Sequence, residues 1–117
     1  MFHTYSYEAL KVIQLTQVEA KQKNFNLIGT EHLLIGLIHQ KSGIASSALR
    51  ARKVTDVDVR KYAKSYLKQR KKLKPTAKVS YKFTQAVRRV YYNAYLEAKI
   101  MAAAVCSEHL LLALIDD

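Results

Sequence analysis

Apolar residues recur along this chain at the three- and four-residue spacing of amphipathic helices. A hydroxyl residue precedes most of these stretches, in the position of a helix N-cap. No stretch alternates with a period of two over a useful length, so we expect an all-α fold without strands. The predicted helices start at these N-caps or breaks: Ser6 (towards Lys23), Thr30 (to about Gln40), Ile44 (to about Arg52), Thr55, Thr84 and Ser107 (to Ile115).

The same spacing predicts which positions face the core. On the first helix these positions are Leu10, Ile13, Leu15 and Val18. On the second and sixth they are Leu33, Leu34, Leu37 and Ile38, and Leu110, Leu111, Leu114 and Ile115. On the fourth and fifth they are Val59, Tyr62, Ala63, Tyr66 and Leu67, and Val87, Val90, Tyr91, Ala94 and Tyr95.

The chain contains an internal duplication. Residues 30–38 and 107–115 share six of nine identities, and Glu-Ala-Lys occurs at both 19–21 and 97–99. The N-caps Ser6 and Thr84 correspond as well, so the order of matches is preserved. We therefore predict one domain made of two related helical repeats. Repeat one spans about 1–73, a linker around Pro75 spans about 74–80, and a partial repeat two spans about 81–117.

The duplicated motif opens each helix with a hydroxyl and a carboxylate, Thr30-Glu31 and Ser107-Glu108. One interpretation is purely structural, because a capping hydroxyl and an acidic first turn stabilise a helix by about 1 kcal/mol. The other interpretation is a recognition site. A helix N-terminus can receive an anion while the neighbouring carboxylate binds a cation, which suits a ligand with both a phosphate and a guanidinium.

The sequence from Gly29 through Glu31-His32-Leu33-Leu34 to Ile38, followed by Gly43-Ile44-Ala45, resembles a known family. It is similar to the N-terminal repeat domain of the Clp/Hsp100 AAA+ unfoldases, in particular the ClpC type of Gram-positive bacteria. The entry Tyr5-Ser6-Tyr7 to the first helix, and the second copy of the motif, extend the resemblance over essentially the whole chain.

The resemblance implies a Clp N-domain fold of two pseudo-twofold-related repeats without catalytic activity or a cofactor of its own. It implies a cytoplasmic parent ATPase, using ATP and Mg, that is hexameric and works with a ClpP-type protease. It also implies binding of MecA-like adaptors and of substrates marked by phosphoarginine. The residues carried over are the glutamates Glu31 and Glu108 and the hydroxyls Ser6 and Thr84. The motif hydroxyls Thr30 and Ser107, which open the same helices as the glutamates, complete the candidate binding residues.

Two departures from the family pattern concern repeat two. Cys106 replaces the usual glycine before the second motif. Only eight residues follow His109, so we expect this repeat to be incomplete. No Gly-Lys-Ser/Thr loop for nucleotide phosphates occurs, so ATP chemistry is not expected in this chain. No His-Glu-x-x-His motif and no second cysteine are present, so no metal site is expected.

Net charge leaves one alternative open. The chain carries 20 Lys and Arg against 9 Asp and Glu, a formal charge of +11. Eleven of the basic residues lie between Arg50 and Lys74, opposed there only by Asp56 and Asp58. This segment suits a small basic helical nucleic-acid-binding protein with non-specific, salt-sensitive affinity. It also suits attraction of acidic adaptors, or simply a solvated helix face.

Overall fold

This computed structural model describes residues 5–22, 27–67, 82–100 and 103–117. These residues contain six helices and two very short strands. For residues 63 and 65–67 only the backbone is described. The predicted linker at about 74–80 lies outside the described residues. The elements are α1 (Tyr7–Gln22), β1 (Leu27–Ile28), α2 (Thr30–His39), α3 (Ile44–Ala51), α4 (Asp56–Leu67), β2 (Lys82–Phe83), α5 (Gln85–Ile100) and α6 (Ser107–Asp116).

The duplicated sequences form equivalent helices. Helices α1 and α5 have the same length and their bounds differ by 78 positions at both ends, while α2 and α6 differ by 77. The shorter offset places the one-residue difference in the connection between the two helices. The helical duplication predicted from the sequence is therefore present in the fold.

Each repeat pairs its backbone with the other repeat, which the sequence did not predict. Strand β1 runs parallel to β2, with Leu27 opposite Lys82 and Ile28 opposite Phe83. At the equivalent position, with the roles of the two repeats exchanged, Tyr5 and Val105 form an isolated parallel bridge. The expectation of no strands was wrong because segments of one or two residues are too short to show a period of two.

The amino ends of α2 and α6 correct the predicted caps by one residue. Thr30 and Ser107 are the first helical residues, and the N-caps are Gly29 and Cys106 in extended conformation. A histidine at the third helical position closes each end, since His32 Nδ1 accepts the Gly29 N–H at 3.0 Å, and the corresponding bond in α6 is 2.9 Å. The imidazole satisfies an amide that would otherwise lack a partner, so no hydroxyl is needed at the cap.

Helices α1, α2, α5 and α6 enclose the main core. The predicted face of α5 is buried, with Tyr95 partly so, but the predicted face of α1 was partly wrong. Leu10 and Val18 are 43% and 42% exposed. Helix α1 instead buries four side chains smaller than leucine, together with Ile13 and Glu19. The buried residues of α1 are Ala9, Val12, Ile13, Thr16, Glu19 and Ala20.

A second apolar cluster exists in repeat one without a described counterpart in repeat two. Ile35, Ile38 and Val59 pack between α2 and α4 and are each less than 5% exposed. The equivalents of the first two on α6 are Leu112 and Ile115, which are 55% and 69% exposed. The prediction of a buried Ile115 was therefore wrong, because among the described residues no helix covers this face of α6 as α4 covers α2. Tyr62 of α4 is also exposed rather than in the core.

Candidate functional site

The amino ends of α2 and α5 lie side by side, although they belong to different repeats. The Thr84 N–H donates to the carbonyl oxygen of Ile28 at 3.0 Å, directly after the paired strands. Thr84 is the residue before α5, and Gly29 is the N-cap of α2. This places the predicted residues Thr30 and Glu31 in the first turn of a helix that starts beside Thr84. We call this arrangement the Thr84 site.

The second site is built in the same way with the repeats exchanged. The Ser6 N–H donates to the carbonyl oxygen of Val105 at 2.7 Å, so the start of α1 adjoins the start of α6. Ser6 is thereby neighbour to the turn that carries Glu108. We call this arrangement the Ser6 site. The sequence had paired neither Ser6 nor Thr84 with a particular glutamate, and the fold places each beside the helix start of the other repeat.

The hydroxyls of both sites cap their helices. Thr84 Oγ1 accepts the Val87 N–H, and Ser6 Oγ accepts the Ala9 N–H, each at 3.2 Å. A hydroxyl that accepts a backbone N–H keeps its own hydrogen for donation. Both side chains can therefore stabilise a helix and still offer an O–H to an anion at the helix end.

The carboxylate of Glu31 is held close to its own helix end. Thr30 and Glu31 are both half-buried, and Thr30 Oγ1 donates to Glu31 Oε1 at 3.3 Å. The threonine hydroxyl thus orients the carboxylate. Glu108 at the Ser6 site is half-buried as well, but the residue equivalent to Thr30 has a different role.

Ser107 supports the fold at the Ser6 site. It is 2% exposed, and its Oγ accepts the Ala45 N–H at 3.3 Å, at the amino end of α3. A Cβ atom on Gly43 would lie 2.9 Å from Ser107 Oγ, so the segment before α3 and the start of α6 approach closely. This predicted ligand hydroxyl is buried against α3, away from solvent.

Two basic residues at the Thr84 site were missed from the sequence. A pocket of about 500 Å³ opens at the start of α5, and its described lining includes Lys82, Thr84 and Arg88 but neither Thr30 nor Glu31. The position equivalent to Arg88 at the Ser6 site is Leu10. Reading the flanks of the two caps at the 78-residue offset would have revealed this difference. The Thr84 site is therefore the more cationic of the two.

The Ser6 site brings together three potential metal ligands. Cys106 Sγ, a carboxylate oxygen of Glu108 and a ring nitrogen of His109 lie within 4.8 Å of one another. His109 Nδ1 already accepts the Cys106 N–H at 2.9 Å, and Cys106 Sγ donates weakly to the Ala104 carbonyl. Binding a metal through Nδ1 would break the bond that closes the helix end. Capping therefore accounts for the position of His109 Nδ1.

Tyr5 borders the Ser6 site and is built into the core. Its hydroxyl donates to the Tyr91 carbonyl oxygen at 3.3 Å, and it is 7% exposed. Burial raises the pKa of Tyr5 to about 12, so the phenol is neutral at physiological pH. It supplies shape and no charge to the site.

In the part of the chain that is described, no helix combines the length and the apolar character needed to cross a membrane.

Comparison with known proteins identifies the family. The model of the Clp repeat (R) N-terminal domain matches residues 4–117. An ATP-dependent Clp protease ATP-binding subunit ClpA homolog of Trieres chinensis is 38% identical over all of this chain and 13% of its own length. The negative regulator of genetic competence ClpC/MecB of Bacillus subtilis is 34% identical over 98% of this chain and 14% of its own length. This chain thus spans about one seventh of these relatives.

Solved structures show the same fold. The N-terminal domain of the ClpV1 ATPase from E. coli superposes with a TM-score of 0.78 at 16% identity, over 99% of this chain and 70% of that one. The N-terminal domain of ClpD from Arabidopsis thaliana gives 0.69 at 19% identity, over 97% and 77%. Together with the family match over nearly every residue, this shows that the chain belongs to the Clp repeat N-terminal domain family.

Proposed function

We propose that this chain is the adaptor- and substrate-recognition domain of a Clp chaperone/protease ATPase subunit. The relatives that share its sequence are ATP-binding subunits of Clp proteases and ClpC proteins. The parent protein would be a hexameric, cytoplasmic AAA+ ATPase that binds ATP and Mg in modules outside this chain and delivers proteins to a ClpP-type protease. The domain itself would act by binding, with no cofactor and no reaction of its own.

Within this function, we propose that the Thr84 site recognises phosphorylated arginine on protein substrates. The single observation that carries the proposal is the juxtaposition of two helix amino ends, one with a hydroxyl and the other with a carboxylate, across the paired strands. Phosphoarginine presents a dianionic phosphoryl group bonded directly to a nitrogen of its guanidinium group. The first group suits helix N–H groups and cations, and the second suits a carboxylate.

The residues divide the ligand between them. The hydroxyl and first-turn amides at Thr84, supported by Lys82 and Arg88, would bind the phosphate. Glu31, oriented by Thr30, would accept hydrogen bonds from the guanidinium N–H groups. Such charge-assisted bonds are worth about twice a neutral one, and the planar guanidinium favours a carboxylate over other acceptors. The Ser6 site would bind more weakly because Leu10 stands where the Thr84 site has Arg88.

The test is calorimetric titration of the 117-residue chain with phosphoarginine, and separately with arginine and with inorganic phosphate. We expect saturable binding of phosphoarginine and much weaker binding of either part alone. Loss of one charge-assisted pair costs about 1.5–3 kcal/mol, so Glu31→Ala should weaken binding by roughly 10- to 100-fold. Glu108→Ala should have a smaller effect.

Glu97→Ala is the matched control, because Glu97 is an exposed glutamate on α5 and its loss changes the net charge equally. Circular dichroism checks that each variant is folded. If the folded protein shows no saturable binding of phosphoarginine, or if Glu97→Ala weakens binding as much as Glu31→Ala, the phosphoarginine proposal is wrong.

A further inference from the structure

We propose that a second surface, on repeat one, binds an acidic protein segment that carries one apolar side chain. The surface is a pocket of about 560 Å³ between α1, the end of α2 and the connection from α3 to α4. We call it the repeat-one pocket. It shares no described lining residue with the pocket of the Thr84 site. The inference rests on the proposed function only in taking the occupant to be a protein partner.

The floor of the repeat-one pocket is apolar and fixed. Leu15, Ile38 and Val54 contribute to it. Ile38 is 4% exposed and belongs to the cluster that joins α2 to α4, and Val54 packs against the same cluster. The floor is therefore an opening onto packed core, suited to burying one aliphatic side chain of a partner.

The rim of the pocket is cationic. Lys41, Arg50 and Lys53 line it, all three are exposed, and none forms an ion pair with another described residue. The one carboxylate in the described lining, Asp56, is engaged by His39 Nε2 at 2.6 Å and by Arg60. Three available cations around an apolar floor complement carboxylates that flank an apolar residue.

Lys53 is held at the rim by an unusual backbone. Its φ is 60°, the one positive value for a non-glycine residue in the described chain. The Lys53 N–H donates to the Arg50 carbonyl and the Val54 N–H to the Leu49 carbonyl, which is the bond pattern of a Schellman helix end. Glycine is the residue that suits this position best. A lysine here sacrifices some stability and adds a cation to the rim.

The apolar floor favours a protein occupant over a nucleic acid. A phosphate backbone would use the rim alone and would leave the floor hydrated. A peptide with acidic residues on both sides of a leucine uses the floor and the rim together. The sequence left the basic residues from Arg50 to Lys74 open between nucleic acid, acidic adaptors and a solvated helix face. Two of them, Arg50 and Lys53, are thereby assigned to an acidic protein partner.

The experiment measures fluorescence anisotropy of a labelled peptide, Gly-Asp-Glu-Leu-Glu-Asp-Gly, with the 117-residue chain. Parallel probes are the same peptide with serine in place of leucine, and an oligothymidine of similar charge. We expect saturable binding of the leucine peptide and at least tenfold weaker binding of the serine peptide. The double variant Lys41→Glu/Lys53→Glu should weaken leucine-peptide binding at least tenfold.

The matched control is Lys61→Glu/Lys64→Glu, which changes the net charge equally at exposed positions of α4 outside the described lining. We expect it to change leucine-peptide affinity less than threefold. Lys53→Gly is a second variant, which removes a rim cation without destabilising the fold. It should raise the midpoint of thermal unfolding while weakening the peptide severalfold.

Equal effects of the two double variants, equal binding of the leucine and serine peptides, or no saturable peptide binding would each overturn the proposal. Tighter, pocket-dependent binding of the oligothymidine would overturn it in favour of a nucleic acid. Phosphoarginine titration of the same samples reports on the proposed function independently, because the variants leave the Thr84 and Ser6 sites intact.

Discussion

Helices α1 and α2 cross so closely at Gly36 that a methyl group there would collide with α1. A Cβ on Gly36 would lie 2.4 Å from Thr16 Oγ1 and 2.8 Å from the Val12 carbonyl oxygen. Thr16 is fully buried, and its hydroxyl donates to that same carbonyl at 2.7 Å, so it cannot rotate away without losing the bond. Overpacking of this kind costs about 1–3 kcal/mol. Replacing a helical glycine by alanine returns about 1 kcal/mol. Both contacts are shorter than 3.0 Å and one is with a backbone oxygen, so the overpacking cost lies in the upper half of its range. We therefore expect Gly36→Ala to lower the free energy of unfolding by about 1–2 kcal/mol.

Repeat two shows how the collision can be relieved. The equivalent of Gly36 is Ala113, and the equivalent of Thr16 is Ala94, both in the core. In repeat two the methyl group is on the second helix of the pair and the hydroxyl is missing from the first. We therefore expect Thr16→Ala to rescue Gly36→Ala in part, because the contact with the Val12 carbonyl oxygen remains. The coupling free energy in the double-mutant cycle should be at least about 1 kcal/mol.

The assay is urea unfolding of the wild type, the two single variants and the double variant, followed by circular dichroism at equal protein concentration. Ala113→Gly is the control at the equivalent crossing and should destabilise by about 1 kcal/mol, because it loses helix propensity and relieves no collision. Strict additivity of the two substitutions, or a Gly36→Ala protein as stable as the wild type, would refute the close-crossing argument.

Two further predictions concern burial. Ile38→Ala should lower the free energy of unfolding by about 2–4 kcal/mol, and Ile115→Ala by less than about 0.5 kcal/mol, because only Ile38 is covered by α4. Equal losses in urea unfolding would contradict this. Stability should also fall as pH rises from about 10 to 12, because burial raises the pKa of Tyr5 to about 12 and also raises that of Tyr91. As the pH rises, the phenols lose their protons in the unfolded chain before they do so in the folded chain. Their contribution to the free energy of unfolding is therefore complete below pH 10 and is lost above it. Tyr5→Phe should make the decline of the free energy of unfolding between pH 10 and pH 12 shallower, and an unchanged slope would show that burial of this phenol is not its cause.

The helices were predictable from the sequence because their signals are local. Ser6, Thr55 and Thr84 cap helices as expected, each by accepting an N–H three residues later. The caps at Thr30 and Ser107 were placed one residue late. There a histidine side chain closes the helix end, a bond that depends on side-chain geometry as much as on residue type.

Burial was less predictable, because it depends on which neighbour covers a face. Leu10 and Ile115 fit helical apolar patterns as well as Ile38 does, yet only Ile38 is covered. The spacing of apolar residues gives the face that could be buried. Whether another helix packs there is decided by contacts between residues far apart in the chain.

The sequence named candidate site residues, whose role stays a prediction, and it did not predict how the fold brings them together. The glutamates, and the hydroxyls that start α1 and α5, were identified from the duplicated motifs. Their association across the repeats depends on the parallel pairing of β1 with β2 and of Tyr5 with Val105. These pairings involve too few residues for the periodicity of the sequence to predict them.

This cross-pairing has a consequence for how the two sites relate. Each site takes its hydroxyl from one repeat and its glutamate from the other, so neither repeat contains a complete site by itself. The backbone bonds Thr84 N–H to Ile28 and Ser6 N–H to Val105 therefore hold the repeats together and position both sites at once. Pairing of the two copies in this way assembles two candidate sites, whose flanking residues can differ. The residue pair Arg88 and Leu10 shows that the flanks of the two caps already differ in charge, which leaves the Thr84 site better suited to an anion.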